Sequence, residues 1–312
     1  MFFALKRQAE VEHHEYEAVR VMDWICEAYK QAGQLHKAER LYREGLQRLQ
    51  RLGKARALFG YFHLYLARLQ WEWNRPEEAQ SHLTTAMQFG KTWQHLDIQV
   101  KGYYLLFQML LATGKHVEAA QALTEAEQCI QQSQEDVQSY WTIIMRGQFW
   151  LAQGNVAEAA DWAARLAAHL PPIDLYYKYI GYFTTLVRVY LSLQRNTEAF
   201  QLLAAALPQA EHFQRRWDAI ALLALQVVAH YNSSDMFQAR RVAAHLLTLT
   251  EAEGALRVYL DAGAPMQQVL QSLLDAASAQ PEHDGAPVPF APIRTLLAAF
   301  EQQERQAAHS EQ

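Results

Sequence analysis

The sequence predicts an all-α fold of stacked helix pairs, and three observations carry that prediction. No run of alternating Val, Ile and Thr is bounded by turn residues, so strand signals are absent. Ala, Leu, Gln, Glu and Arg dominate, and all but a few stretches read as good helix formers. A short pattern also recurs: a turn residue, a few polar residues, then an acidic or polar residue followed by Ala. It reads GQLHKA (33–38), NRPEEA (74–79), GKHVEA (114–119), GNVAEA (154–159), QRNTEA (194–199) and SDMFQA (234–239). The final alanines Ala38, Ala79, Ala119, Ala159, Ala199 and Ala239 lie 41, 40, 40, 40 and 40 residues apart. A period held that long marks a repeat architecture, so a length prior of roughly 150 residues per domain does not apply.

Each copy has the same internal logic. A first helix precedes the turn, with apolar residues at helical spacing, as in Met22, Ile25, Cys26 and Tyr29. Gly33, Gly114 and Gly154 open three of the turns, where a helix C-terminus favours positive φ. A second helix follows, and Pro76 fits its first turn, where no hydrogen-bond donor is lost. The alanine is small because the two helices cross closely there. Seven residues on come mostly small or apolar positions: Gly45, Ala86, Ala126, Leu166, Ala206 and Leu246. Pro171, Pro172 and Pro208 are expected to end second helices. Phe2, Phe3 and Leu5 fall where the second helix of an incomplete repeat would pack, so the chain reads as beginning in mid-array, as a fragment or a truncated reading frame would.

This unit resembles the tetratricopeptide repeat. In the first copy Ile25, Cys26, Tyr29, Gly33, Ala38, Tyr42 and Gly45 match that consensus almost in full. The period exceeds the usual ~34, and longer helices or loops would absorb the excess. HEAT-type pairs are the alternative of similar length, but they lack the Gly-to-Ala signature. One pair cannot bury its own apolar face, so stacked pairs share a core. The resemblance implies an α-solenoid, a right-handed superhelix of about six pairs over 1–250, with capping helices over 251–279 and a Pro-rich linker, short helix and polar tail over 280–312.

Composition excludes several function classes. The net charge of −5 carries no basic footprint for nucleic acid. The longest apolar stretch, AIALLALQVVAH at 219–230, is too short and interrupted to span a bilayer. The N-terminus lacks a signal peptide's apolar region, and two cysteines, Cys26 and Cys129, are too few for a disulfide framework. A soluble cytoplasmic protein is expected. GKT at 90–92 resembles the end of a phosphate-binding loop, but Thr85 stands where its first glycine belongs, and the context is helical. The adjacent histidines of EHHE (12–15) point about 100° apart on a helix and make a poor shared metal site. Cys26 reads as a core thiol. No nucleophile is visibly paired with a base. No catalysis, cofactor or metal is therefore expected. The 8 Trp and 15 Tyr could form a carbohydrate platform, although most sit at core spacing inside first helices.

One column of residues is more informative. Eleven positions before the signature alanines stand Glu27, Arg68, Gln108, Gln148, Arg188 and Val228. In tetratricopeptide geometry this column faces the concave groove, and all but Val228 are polar or charged. Near it lie Asp23, Tyr61, Trp71, Tyr104, Trp141 and Thr184. A mixed aromatic and polar lining suits a small-molecule inducer such as a sugar, or a regulatory protein or extended peptide. A solvated inner face without a ligand is the competing reading.

The rhythm breaks after Thr250. GALRVYLDAG (254–263) occupies the place of a seventh first helix but stops early at Gly263. Pro265 opens a new helix with Val269, Leu270, Leu273, Leu274 and Ala277 on one stripe, and APIRTLLAAFEQQE (291–304) forms a short amphipathic helix with Ile293, Leu296, Leu297 and Phe300, ahead of a polar tail. Such elements close the open end of a repeat array. The segment resembles the end of the sensor domain in MalT-like regulators, LuxR-class transcriptional activators of the STAND family. Gly254, Arg257, Tyr259, Asp261, Gly263, Pro265 and Met266 match its signature, while Ala262 replaces a common acidic residue. The resemblance implies a ligand- or protein-sensing domain. In that family it stands between an N-terminal ATPase and a C-terminal helix-turn-helix, neither of which has its motif in this chain, so no direct contact with nucleic acid or membrane is expected. A stand-alone tetratricopeptide scaffold is the alternative.

Overall fold

The computed structural model describes residues 15–52, 57–131, 139–279 and 290–310. Phe2, Phe3, Leu5, His13, His14 and the Pro-rich stretch 280–289 lie outside them. Among the described residues the chain is all α-helical, with no strand. Six helix pairs come in order: α1 (Glu15–Gln31) with α2 (Leu35–Arg51), α3 (Ala57–Glu72) with α4 (Pro76–Thr92), and α5 (Leu96–Ala112) with α6 (His116–Gln131). Then come α7 (Ser139–Ala152) with α8 (Val156–Ala168), α9 (Tyr176–Ser192) with α10 (Asn196–His212), and α11 (Arg216–Asn232) with α12 (Met236–Thr250). Three further helices follow: α13 (Arg257–Leu260), α14 (Ala264–Ala279) and α15 (Phe290–Ser310).

The turns explain the period. Gly33, Asn74, Gly114, Gly154, Gln194 and Ser234 all adopt positive φ, between 54° and 72°. In each, the next N–H reaches back five residues to a carbonyl, from Gln34 to Tyr29 (2.8 Å) through Asp235 to His230 (2.9 Å). That bond satisfies a carbonyl orphaned at the helix end. Gln94, Gln214 and Gly254 repeat this left-handed geometry between pairs, at φ 49°, 54° and 63°. All six signature alanines are fully buried. The glycine following the first of them is also required: a Cβ on Gly45 would meet Phe62 Cε2 at 2.2 Å.

Two compact units divide the chain. One comprises Met1–Met109 with Val117–Thr142, the other Leu110–His116 with Ile143–Gln312. In the first, Tyr42 and Phe62 meet edge-on at 5.3 Å, both buried. In the second, Phe183, Leu186 and Leu203 centre one apolar cluster. Leu246, Tyr259, Met266, Ile293 and Phe300 centre another, which joins α12 to the last three helices.

Two expectations need correction. Pro208 does not end a helix, because α10 continues to His212. The carbonyl that loses its donor belongs to Ala204, and Ala204 and Pro208 are both exposed, so water can replace the missing bond. The last helix also extends past 304 to Ser310, with Arg305 pairing to Glu301 one turn back at 3.6 Å.

Candidate functional site

In the first unit the predicted column forms a bonded chain. Arg68 on α3 holds Glu72, one turn on, through Nε at 2.9 Å, and donates through Nη1 to Gln108 Oε1 on α5. Gln108 Nε2 donates in turn to the Tyr104 hydroxyl at 3.0 Å. The Tyr104 ring lies 4.8 Å from that of Trp141. Glu27 bonds to Lys30 (2.7 Å) and Gln31 (2.8 Å) of its own helix.

Beside this chain, the Tyr61 hydroxyl donates to Asp97 Oδ2 at 2.6 Å. Lys101 Nζ pairs with the same oxygen at 2.8 Å and lies 5.7 Å from the Tyr61 ring centre. Burial, and then the bond to Asp97, push the Tyr61 phenol well above its usual range. Asp23 is the strained member, since its Oδ1 is buried without a hydrogen-bond partner among the described residues. Burial and then Glu27 raise its carboxyl to about 6, against the opposing pull of Lys101 and Lys30. Trp71 does not line this face. It is 3 % exposed and belongs to the core, because the last turn of α3 is enclosed on every side from Leu69 to Glu72.

The second unit is organised differently. Gln148 Nε2 donates to Thr185 Oγ1 at 3.4 Å. The Thr184 hydroxyl is turned back on the carbonyl of Ile180 at 3.1 Å. Arg188 Nη1 donates to the main-chain carbonyl of Asp261, 2.6 Å away and 73 residues along the chain. Val228 is buried. Arg188 and Val228 both line an open cavity of about 300 Å³, with Leu151, Leu191 and Leu225 as its apolar wall and Ala262 and Pro265 at its edge.

Residues 254–266 are structural as well as polar. Gly254 and Gly263 take φ of 63° and 72°, and α13 lasts a single turn between them. Arg257, 3 % exposed, binds the Asp261 carboxylate through Nη2 and donates through Nη1 to Gln303 on α15 at 2.8 Å. A buried guanidinium needs such partners, because an uncompensated charge there is costly. Tyr259, also buried, shares a 2.5 Å hydrogen bond with Thr250. Met266 is fully enclosed.

These helix pairs and this closing segment fall within one match: the family described as the MalT-like TPR region spans residues 4–276 of the chain. The chain belongs to that family. No curated protein matches it in a sequence search. The match takes in all six signature alanines and the whole 254–266 segment.

Other chemistry in this MalT-like TPR region is sparse. Among the described residues, no group of three or more His, Cys, Asp or Glu is placed to hold a metal ion. His63 and His82 do meet, Nδ1 to Nδ1 at 2.9 Å. Burial, then the neighbouring ring, hold His63 down to about 4. Gly90–Thr92 closes helix α4 and forms no loop. Cys26 is buried, and its Sγ approaches the Ala38 carbonyl at 3.8 Å. Among the described residues, no helix is long and apolar enough to cross a membrane.

Sequence reasoning missed Asp97, Lys101 and the cavity wall. The period contained a signal for the wall: Leu151 and Leu191 each stand eight residues before a signature alanine, a column next to the polar one. Nothing local marks Asp97, whose partner Tyr61 lies 36 residues away.

Proposed function

We propose that this chain is the ligand- or partner-sensing region of a MalT-like regulator of the LuxR class, and that it performs no catalysis itself. The observation carrying this reading is the column of polar side chains on successive first helices. In the first unit Arg68 and Gln108 join across one interval of 40 residues, and in the second Arg188 meets the closing segment. Tetratricopeptide-like regions bind small molecules or proteins through such faces, and the proposed binding residues are Glu27, Arg68 and Gln108 with Tyr61, Tyr104 and Trp141 in the first unit, and Gln148 and Arg188 in the second. In this reading the chain works in the cytoplasm. A stand-alone scaffold is the second reading. The aromatic pair Tyr104–Trp141 beside hydrogen-bonding Gln108 favours it, since an extended peptide needs both contact types.

The test is a thermal-shift screen of metabolites and short peptides on the purified chain. A true ligand should raise Tm in the wild type. Its effect should fall at least about tenfold in affinity in Arg68→Glu or Arg188→Glu, with far-UV circular dichroism unchanged. A verified ligand bound equally well by both variants would remove the polar column from the site.

A further inference from the structure

Arg188 is only half used. Its Nη1 holds the Asp261 carbonyl, while Nε and Nη2 make no hydrogen bond among the described residues. Those two N–H groups form the side-on edge of the guanidinium, which pairs with both oxygens of a carboxylate at once. Among the described residues, none that lines the cavity beside it is acidic. The carboxylate of Asp261, next in sequence to the lining residue Ala262, is held by Arg257. Two other polar groups at the cavity are committed elsewhere: Asn232 Nδ2 donates to the Leu191 carbonyl at 3.2 Å, and Ser192 Oγ to that of Val189 at 2.9 Å. Gln194, also in the lining, is exposed and uncharged, and the rest of the wall is apolar: Leu151, Leu191, Leu225, Val228, Ala262 and Pro265. One cation with a vacant bidentate edge, set over an apolar floor, complements one carboxylate on an apolar body. A phosphate would keep a second charge with no second cation to meet it. At about 300 Å³ the space stands at the small end of ligand cavities and restricts the body to a short branched or single-ring group.

We propose that this cavity binds a small apolar monocarboxylate, and that the bound carboxylate clamps the last helix through Arg188, Asp261, Arg257 and Gln303. The ligand class rests on the sensing function proposed above, and it names the chemistry sensed in the second unit. The route follows from the bonds. A carboxylate on the Nε and Nη2 edge fixes the guanidinium plane, so Nη1 is held on the Asp261 carbonyl. The 261–263 turn is then tied down. Its carboxylate fixes Arg257, and Arg257 fixes Gln303 of α15. Ligand binding therefore stiffens α15 without displacing any existing hydrogen bond.

The experiment uses the full chain with isovalerate and phenylacetate as probes, and their amides as neutral isosteres. Binding is read by calorimetry, and α15 by hydrogen exchange with mass spectrometry. At least one acid should bind, and its amide should bind about 10- to 100-fold more weakly, the loss expected for one charge-assisted pair. Arg188→Gln should abolish binding, and Arg188→Lys should weaken it about tenfold because it keeps the charge but loses the fork. Val228→Trp, which fills the cavity, should abolish it independently. Amide exchange in α15 should slow with ligand, and Gln303→Ala should remove the slowing while leaving affinity within about twofold. Equal binding of acid and amide, or binding that survives both Arg188→Gln and Val228→Trp, overturns the carboxylate site. If neither acid binds while the screen above yields a ligand indifferent to Val228→Trp, this inference fails and the sensing function stands. Unchanged α15 exchange in the saturated wild type overturns the clamp.

Discussion

Arg68 and Arg188 occupy the same place in their repeats, eleven residues before Ala79 and Ala199, yet they do different work. Arg68 is absorbed by side chains, Glu72 and Gln108. Arg188 reaches a main-chain carbonyl and keeps an edge vacant. Four residues after Arg68 stands Glu72, and four after Arg188 stands Ser192. One period after Arg68 stands Gln108, and one period after Arg188 stands Val228. The repeat therefore fixes where a side chain is launched, and the neighbouring rungs decide what it holds. In the first unit those rungs are polar and the network closes on itself. In the second neither carries a charge and Val228 is apolar, which leaves a cavity and a cation to share with the closing segment.

The comparison can be broken most forcefully at Asp261. Asp261→Ala should leave the buried Arg257 without its carboxylate. It should cost about 2–3 kcal/mol, less than the ~3–5 kcal/mol of a wholly buried pair because 35 % of the Asp261 side chain remains exposed. Hydrogen exchange should accelerate in α13–α15 and stay unchanged in α3 and α5. Equal acceleration in both units would show that the closing segment is not a local device.

Asp23 tests the opposite property, strain within the first unit. Its carboxyl is raised from 3.8 to about 6, so burial costs stability once the group is charged. The penalty is absent below about 4 and complete above about 6. Asp23→Asn should therefore stabilise the chain at pH 7 by about 1–2 kcal/mol, after allowance for partial exposure, and give no gain near pH 4. His63 acts in the other direction. It stays neutral when folded, held from 6.5 down to about 4, so its contribution is present above 6.5 and lost as pH falls through about 4. In the wild type the two partly cancel, and D23N should expose the histidine's acid sensitivity in urea denaturation across this range. A gain from D23N that persists at pH 4 would mean that charge burial is not its cause.

A double-mutant cycle between Arg68→Ala and Gln108→Ala should return a coupling of about 1 kcal/mol, the size of one hydrogen bond to a charged group partly open to water. Strict additivity would dissolve the network in the first unit. The smallest effect comes from transplanting its logic. Ser192→Glu gives Arg188 the partner that Arg68 has, worth about 0.3 kcal/mol in denaturation. It should draw Arg188 from the Asp261 carbonyl and speed exchange in α15, whereas unaltered exchange would mean that this carbonyl bond carries no load.

The local features were legible because they depend on neighbours within a helix or turn. Six turns, six close helix crossings marked by alanine, and the stop at Gly263 follow from helical spacing and from which residues tolerate positive φ. Asn74, Gln194 and Ser234 show that the turn geometry persists where glycine is absent, since the backbone bond that closes it needs no particular side chain. The polar column was legible too, as a set of positions. Its partners were not. Trp71 sits in the core and not on the lining face because α3 is enclosed where it ends. Pro208 continues a helix because its lost bond faces water.

By itself, then, the sequence determined the helix pairs, their period, the family and the columns from which the candidate site is built. Only the tertiary structure decided that Tyr61 would meet Asp97, that Arg257 would be buried against Asp261 and Gln303, and that Arg188 would cross 73 residues to a carbonyl. The physical reason is range. Helix and turn signals are set by bonds a few residues long, whereas the fate of a guanidinium depends on which acceptors packing delivers to it, and no periodicity encodes that choice.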